Sequence, residues 1–357
     1  MASSPSLTEI DVPSSSPSLL PPPSGSPLAN LYNRLASWRR SLELPNPGTA
    51  ENLQKEVKTT LLTNFFFDGA RADLSKSLSV NPIFQVTHSF ALGSQTTPPS
   101  YNFGAVFASN SIFLQGSVDH DGNVNGRLNQ GWSANNVTKA QGQASFTVVT
   151  VLSSQAGHSM LQVEHDYMGQ DYSVNIKAVN PSPIDFTGIY MGSYFQSITK
   201  NLALGVEILH QRPTPEMTES TASYLAKYTG SDKNWIATAQ VQPAGILQAT
   251  YWQKLSDKVE VAADLQLIAA PTRRDAIASL GAKYDLRMST FRAQLDSTGK
   301  VSALLEQRFA PAFAFLVSGE IDHFKNGAKV GVGVMIESPS MTPEEMGMMQ
   351  MQTPSQP

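Results

Sequence analysis

The stretch KVEVAADLQLI, residues 258–268, alternates apolar and polar side chains along most of its length. The apolar set is Val259, Val261, Ala263, Leu265 and Leu267. Most positions between them are polar: Lys258, Glu260, Asp264 and Gln266. Because successive side chains of a β-strand point to opposite faces, this period of two predicts a strand with one apolar face and one charged face. The pattern leaves open what lies against each face.

The same alternation recurs along the chain. It is clear in LQVEHDYM (161–168), LALGVEIL (202–209), FAFLVSGEID (313–322) and KVGVGVMI (329–336). Asp-Gly, Thr-Gly and Asn-Gly pairs in the segments 117–126, 294–302 and 322–330 supply the positive φ that tight hairpin turns require. The segments between turns from Arg71 to Glu337 amount to about nineteen strands with no long crossover, which predicts an all-β antiparallel meander.

The composition excludes several classes of protein. Of 357 residues only 15% are charged, and the net charge of -4 comes with no basic block, so nucleic-acid binding is not expected. The absence of cysteine excludes disulfides and thiolate metal sites. No run of 18 apolar residues occurs, which excludes a helical membrane span. A membrane β-barrel is compatible with this composition, because its strands alternate apolar and polar residues.

The regions before and after the strands differ from them in composition. Residues 1–27 are rich in Ser and Pro, show no signal-peptide pattern and are predicted to be disordered. Residues 28–68 are predicted to form an N-terminal helical segment, in which Thr49 is expected to cap a second helix over about 49–65. The strand-rich region is predicted over 69–337, and residues 338–357 are expected to form a flexible, Met-rich C-terminal tail.

The polar faces of the strands favour a membrane barrel over a soluble β-sandwich. A sandwich exposes its polar faces to water, and such faces are usually dense in charge, whereas here 41% of residues are hydrophobic and charges are sparse. A barrel turns the apolar face to lipid and the polar face to a wet lumen. Closure also removes the edge strands of a long meander. A large soluble all-β protein stays the alternative on pattern alone.

Four blocks of sequence resemble a known family. They are DGARADLSKSLSVNPIFQVTHSFALGS (68–94), QVEHDYMGQDYSVNIKAVNPS (162–182), GAKYDLRMSTFRAQLDSTGKVSALLEQR (281–308) and AKVGVGVMIE (328–337). Over about residues 46–337 the chain resembles the pore-forming subunits of the translocase of the mitochondrial outer membrane, the TOM complex, which belong to the eukaryotic porin superfamily. The leader and the tail are fungal in style.

The resemblance implies the closure of the fold. It implies a nineteen-stranded transmembrane β-barrel, closed by parallel pairing of the first and last strands, with the helix of about 49–65 inside the lumen. The last strand resembles the insertion signal of mitochondrial barrels, a polar residue and a glycine followed by alternating hydrophobic residues. Those places are filled by Lys329, Gly331, Val334 and Ile336.

The resemblance also implies a protein-conducting channel of the mitochondrial outer membrane that passes unfolded preproteins along acidic and apolar lumen patches. By alternation, the acidic residues expected in the lumen are Glu164, Asp166, Glu207, Glu260, Asp264, Glu320 and Asp322. The expected basic ones are Lys177, Lys227, Lys258, Lys283, Arg292 and Arg308. A basic presequence would follow the acidic residues, although each inward charge could instead pair across neighbouring strands. Trp235, Trp252, Phe313 and Phe315 are expected on the lipid face.

A small-solute or anion channel of the voltage-dependent anion channel type is the alternative function. That family carries a Gly-Leu-Lys motif in a late strand, and this sequence has none. The resemblance implies preproteins, tail-anchored receptor and small single-helix subunits, membrane lipid and a second pore copy as partners.

Other apparent motifs indicate no chemistry. Residues 119–130, DHDGNVNGRLNQ, begin like a calcium loop but have Val124 at position six and Gln130 at position twelve, so a hairpin turn is expected. His165 points away from both neighbouring carboxylates if 161–168 is a strand. No catalytic residue, metal or cofactor is predicted, and the chain is not expected to be an enzyme.

Overall fold

The computed structural model describes residues 34, 37, 39, 41–94, 97–145, 159–182, 185–243, 245–270, 273–310 and 312–338. The leader 1–27 and the tail beyond residue 338 lie outside this part. The chain divides into two units, Met1–Pro45 and Asn46–Pro357. In the first unit, the described residues 34, 37, 39 and 41 are helical, and the N–H of Leu42 donates to the carbonyl of Arg39 over 3.1 Å.

The second unit contains one 3₁₀ turn, one short helix and nineteen strands. The 3₁₀ turn is Ala50–Asn52 and the helix α1 is Lys55–Thr60. The first ten strands are β1 Gly69–Val80, β2 Ile83–Leu92, β3 Ser100–Ala108, β4 Ile112–Asp119, β5 Asn123–Ser133, β6 Asn136–Ser145, β7 Met160–Met168, β8 Tyr172–Val179, β9 Gly188–Ser197 and β10 Leu202–Thr214. The others are β11 Met217–Thr229, β12 Trp235–Gln242, β13 Ile246–Ser256, β14 Val259–Ala270, β15 Arg273–Asp285, β16 Ser289–Asp296, β17 Lys300–Ala310, β18 Phe313–Asp322 and β19 Gly327–Ser338.

The strands close into a barrel. Each pairs antiparallel with the next in sequence, and β1 pairs with β19 in parallel, with Gly69 opposite Gly331 and Ala72 opposite Val334. An odd number of strands in an up-and-down meander leaves the first and last strands running in the same direction, so a parallel seam is the only way to close it. The predicted nineteen-stranded barrel with a helix in its lumen is confirmed.

The two faces of each strand differ as the alternation predicts. On β14, Ala262 is only 4% exposed because it packs against α1, whereas its neighbour Leu265 on the opposite face is exposed. On the closing strand, Val330 is 63% exposed and Gly331 is buried. Exposed aliphatic side chains of this kind recur around the barrel and form an apolar outer belt, which suits contact with lipid tails.

The helical segment inside the lumen is shorter than the helix expected over about 49–65. Gln54, with φ -109° and ψ 17°, separates the 3₁₀ turn from α1, and Leu61 is already extended with ψ 157°. The hydroxyls of Thr59 and Thr60 donate to the carbonyl of Glu56 over 2.8 and 2.9 Å, a local bond that does not favour helix continuation.

Among the described residues, no helix has both the length and the apolar character needed to cross a membrane.

Candidate functional site

The lumen of the barrel contains residues 46–68, which we call the inner segment. Its beginning is fixed to the barrel wall by three hydrogen bonds to backbone carbonyls. Asn46 Nδ2 donates to the carbonyl of Gly169 over 2.5 Å, and Ser173 Oγ donates to the carbonyl of Gly48 over 2.6 Å. Lys227 Nζ donates to the carbonyl of Pro47 over 3.4 Å. The segment therefore starts against β8 and β11.

Apolar side chains of the inner segment pack into two patches on the wall. The first patch joins Leu53 to Phe195, Ala203 and Leu225 on β9, β10 and β11. The second joins Val57, Leu61, Ala262 and Trp252. Burial of these side chains removes apolar surface from the lumen water and holds the short helix, which would not be stable in isolation at six residues.

Trp252 was expected on the lipid face, and that prediction is wrong. Trp252 lies directly opposite Ala262 in the β13–β14 register, and both pack against the inner segment. Its alternation places it with Gln248 and Thr250, which are lumen residues opposite Gln266 and Asp264. Trp252 therefore lines the lumen.

The end of the inner segment is held by polar contacts. The N–H of Leu62 donates to Gln294 Oε1 over 2.8 Å, and the guanidinium of Arg292 lies 4.3 Å above the ring of Phe65. Ser318 Oγ donates to the carbonyl of Phe67 over 2.5 Å. The segment thus follows the wall from β8 to the strands beside the seam before it enters β1.

A network of charged side chains joins the 3₁₀ turn of the inner segment to β6 and β7. Lys139 Nζ lies 3.0 Å from Glu51 of the 3₁₀ turn, 3.0 Å from Glu164 and 2.7 Å from Asp166. Asn175 Nδ2 donates to both wall carboxylates, over 2.6 and 2.5 Å. Burial opposes ionisation of Glu51, yet the hydrogen bond and charge of Lys139 hold its pKa below the ordinary value. Sequence reasoning missed Lys139, although it lies on the polar face of the segment 136–145.

The predicted acidic residues separate into two groups. All seven lie on the barrel face that contacts the inner segment. Glu164 and Asp166 are each 3% exposed and bound by Lys139, and Asp322 accepts the N–H groups of Phe324 and Lys325 in the β18–β19 turn. The remaining four, in contrast, have no ion pair within the described part of the chain: Glu207, Glu260, Asp264 and Glu320.

Three of these four carboxylates accept hydrogen bonds from neutral side chains. Thr60 Oγ1 donates to Glu260 over 3.4 Å, Gln248 Nε2 donates to both oxygens of Asp264 over 3.2 and 3.3 Å, and Ser302 Oγ donates to Glu320 over 3.3 Å. These hydrogen bonds come from neutral groups. Lysines lie opposite two of the carboxylates in the strand register, Lys254 and Lys283 beside Glu260 and Lys329 beside Glu320, but none of them forms an ion pair with these carboxylates within the described residues.

Most predicted basic residues are in contact with the inner segment or with an acidic neighbour. Lys227 and Arg292 contact Pro47 and Phe65, as described above. Lys283 Nζ lies 2.5 Å from Asp285, and Arg308 lies 3.3 Å from Glu306 and 3.8 Å from Glu337. Lys177 faces the lumen opposite Glu164 in the β7–β8 register.

Lys258 was expected to be a lumen residue by strand alternation, and that placement is wrong. The structure puts Asp257 and Lys258 in the turn between β13 and β14, because β14 begins only at Val259. Alternation does not apply outside a strand, and the exposed side chain of Lys258 lies at the end of the barrel.

The residues of the expected insertion signal lie on both faces of β19. Lys329 is opposite Glu320 and Gly331 is opposite Ser318, so both are on the lumen face. Val334 and Ile336 are opposite Phe315 and Phe313, on the lipid face. Their role in insertion stays a prediction.

The hairpin turn at 119–122 brings Asp119, His120 and Asp121 together. His120 Nδ1 lies 2.5 Å from Asp119, and its Nε2 lies 3.5 Å from Asp121. Each nitrogen of the imidazole thus lies near one of the two carboxylates. The side chains of His120 and Asp121 are exposed. A hairpin turn was predicted here.

Comparisons with known proteins extend the geometric findings. The eukaryotic porin family model matches residues 46–331. The chain is 40% identical over 332 residues to mitochondrial import receptor subunit tom40 of Neurospora crassa, covering 90% of this chain and 91% of the relative. It is also 40% identical over 337 residues to TOM40 of Saccharomyces cerevisiae, covering 88% and 84%. Its identity to the Homo sapiens TOM40 homolog is 31% over 305 residues, covering 82% and 79%.

Proposed function

Since the chain belongs to the eukaryotic porin family, in the group of Tom40 mitochondrial import receptor subunits, we propose that its lumen guides basic presequences along a row of free carboxylates. The chain is a β-barrel of the mitochondrial outer membrane and a channel subunit of the TOM complex. It takes part in protein import and is not an enzyme.

One observation supports guidance by charge. Glu207 on β10 and Glu260 and Asp264 on β14 lie on the lumen face, and none has an ion pair within the described residues. A basic residue of a passing peptide can approach such a carboxylate without displacing a cationic partner. Because charges in a confined aqueous lumen focus the field, these carboxylates attract cations and lower the barrier to their entry.

The apolar parts of the wall are the second element of the proposal. Trp252 is only partly buried by the inner segment, so it leaves aromatic surface beside the carboxylates of β14. A presequence is amphipathic, and it needs a weakly apolar surface as well as an acidic one. Weak, distributed contacts of both kinds allow a chain to keep moving.

Single-channel recording with a synthetic presequence tests the proposal. The full-length protein is reconstituted in a planar bilayer, and a basic amphipathic peptide is added under an applied potential. We expect blockades whose frequency rises with peptide concentration and falls with added salt, since salt screens the attraction. The control is a peptide of equal length in which every Lys and Arg is replaced by Gln.

The outcomes separate the two channel classes. Frequent blockade by the basic peptide and rare blockade by the neutral one support a preprotein pore. Equal, brief blockades by both peptides, together with free passage of small anions, contradict the proposal and favour a small-solute channel.

Partners within the complex are part of the same proposal. We infer that the apolar outer belt contacts lipid, a second copy of the pore, and the tail-anchored receptor and small single-helix subunits. Exposed aromatic residues on this face, such as Trp132 and Phe309, provide the apolar area that helix and barrel contacts in a membrane need. Crosslinking from outward positions of the assembled complex checks this assignment.

A further inference from the structure

The parallel pair of β1 and β19 is the seam of the barrel. It is the one parallel pairing among the nineteen described strands. Parallel ladders have slanted hydrogen bonds and are slightly less stable per residue than antiparallel ones. An additional contact across this pair would therefore have a larger effect on barrel closure than the same contact elsewhere.

A groove for an aromatic ring lies on the lumen face of β19. Gly331 and Gly333 are two residues apart and both buried, and the end of the inner segment covers them. A Cβ atom at Gly333 would lie 3.0 Å from Cζ of Phe67. A Cβ atom at Gly331 would lie 2.9 Å from Cδ2 of Phe67 and would overlap its carbonyl oxygen. The two glycines leave the space that Phe67 fills.

Hydrogen bonds fix this part of the chain on both sides of the seam. Ser318 on β18 is 1% exposed, and its hydroxyl donates to the carbonyl of Phe67 over 2.5 Å. On the other side, Ser94, which follows β2, donates to Asp68 Oδ2 over 2.7 Å. Gly69, with φ of +83°, then turns the chain directly into β1.

We propose that Phe67 and Asp68 form a clasp that holds the parallel seam closed from inside the lumen. The clasp contacts β18 and β19 through Phe67 and, through Asp68, Ser94 in the connection after β2, so β1 and β19 cannot separate without breaking one of these contacts. Gly331 thereby has a second role besides the one proposed in the insertion signal, because it receives the ring. Closure of the last strand and docking of the inner segment become a single event.

Hydrogen exchange of the full chain in lipid nanodiscs tests the clasp. The variant Gly333→Ala places a Cβ atom 3.0 Å from Cζ of Phe67 and so displaces the ring from its seat on β19, and Ser318→Ala removes only the hydrogen bond to Phe67. The matched control is Gly319→Ala on β18, where an added Cβ meets nothing within 4 Å. We expect amides of β1 and β19 to exchange about tenfold faster in Gly333→Ala, a change of about 1.4 kcal/mol in opening free energy.

The remaining strands provide an internal reference for the measurement. Amides of β8 and β9 should keep their exchange rates in every variant, and Ser318→Ala should give a smaller acceleration at the seam than Gly333→Ala. Faster exchange of α1 with an unchanged seam would show that Phe67 only holds the helix, which overturns the clasp. Equal acceleration at the seam in Gly319→Ala overturns it as well, since that change has no contact with Phe67.

Discussion

Neutralising two lumen carboxylates of β14 should weaken presequence binding without changing the barrel. The double variant Glu260→Gln, Asp264→Asn keeps the size of both side chains and removes two negative charges. Both residues face the lumen, and neither has an ion pair within the part of the chain that the structure describes. They are four positions apart along the strand, which corresponds to about 13 Å at roughly 3.3 Å per residue.

The size of the effect follows from this arrangement. A lysine or arginine of the peptide at about 6 Å from one carboxylate gains roughly 0.7 kcal/mol in water. The separation of the two carboxylates exceeds the Debye length of about 8 Å at physiological salt, so they act almost independently. Two such contacts give about 1.4 kcal/mol, or about a tenfold change in the dissociation constant of the peptide.

The assay measures peptide blockade of single channels at several concentrations, and the reversal potential in a salt gradient. We expect about tenfold weaker blockade, a reduced preference for cations and normal assembly on native gels. The matched control is Asp257→Asn with Glu306→Gln, which removes the same charge. Both control residues already have a cationic partner: Asp257 forms a salt bridge with Lys254 and Glu306 forms one with Arg308.

Two results would refute this reasoning. Unchanged blockade and ion selectivity in the β14 double variant would show that these carboxylates do not face the path of the peptide. An equal loss in the control pair would show that net charge, rather than uncompensated charge at β14, determines the affinity.

Two further predictions concern the charge network of the inner segment. Replacing Lys139 by Met leaves two nearly fully buried carboxylates without a cation, so the free energy of unfolding should fall by about 3 kcal/mol. Thermal melting in nanodiscs measures it, and Lys177→Met, which removes a lumen lysine without a described salt bridge, should have a smaller effect. The second concerns pH: since the pKa of Glu51 is lowered in the folded chain, its contact with Lys139 is complete above the ordinary value of 4.5 and is lost as the pH falls below it. Amide exchange of residues 46–54 should accelerate in that acid range, and Glu51→Gln should remove the pH dependence; persistence of the dependence in that variant would contradict the assignment.

The barrel could be predicted from sequence because its signal is local. Within β14, the position along the strand alone assigns each side chain of residues 259–268 to one of the two faces. The apolar outer face of the strand follows without knowledge of any partner. The limits of the strand are less certain, because alternation continues through a turn when the turn residues happen to be polar. Lys258 is such a residue. Trp252, which lines the lumen, shows that a large aromatic side chain does not by itself identify the lipid-facing side of a strand.

The contacts of the lumen could not be predicted, because they join distant parts of the chain. The N–H of Leu62 meets Gln294, and Lys139 meets Glu51, across 232 and 88 positions of sequence. Alternation places both Glu164 and Glu260 on the lumen face and does not distinguish a paired carboxylate from an unpaired one. Only the fold shows that a lysine binds the first, whereas the second accepts a hydrogen bond from Thr60 and forms no ion pair within the described residues.

The inner segment itself explains this division between bound and free charges. It contacts Lys139 through Glu51, Lys227 through a backbone carbonyl and Arg292 through the ring of Phe65. These three cations are thereby held at the wall, turned toward the segment. Among the described residues, the carboxylates of Glu207 and Asp264 have no ion pair that would hold them at the wall in the same way. A chain with nearly balanced charge thus presents free carboxylates to a passing peptide, because three of its lumen basic side chains hold its own inner segment in place.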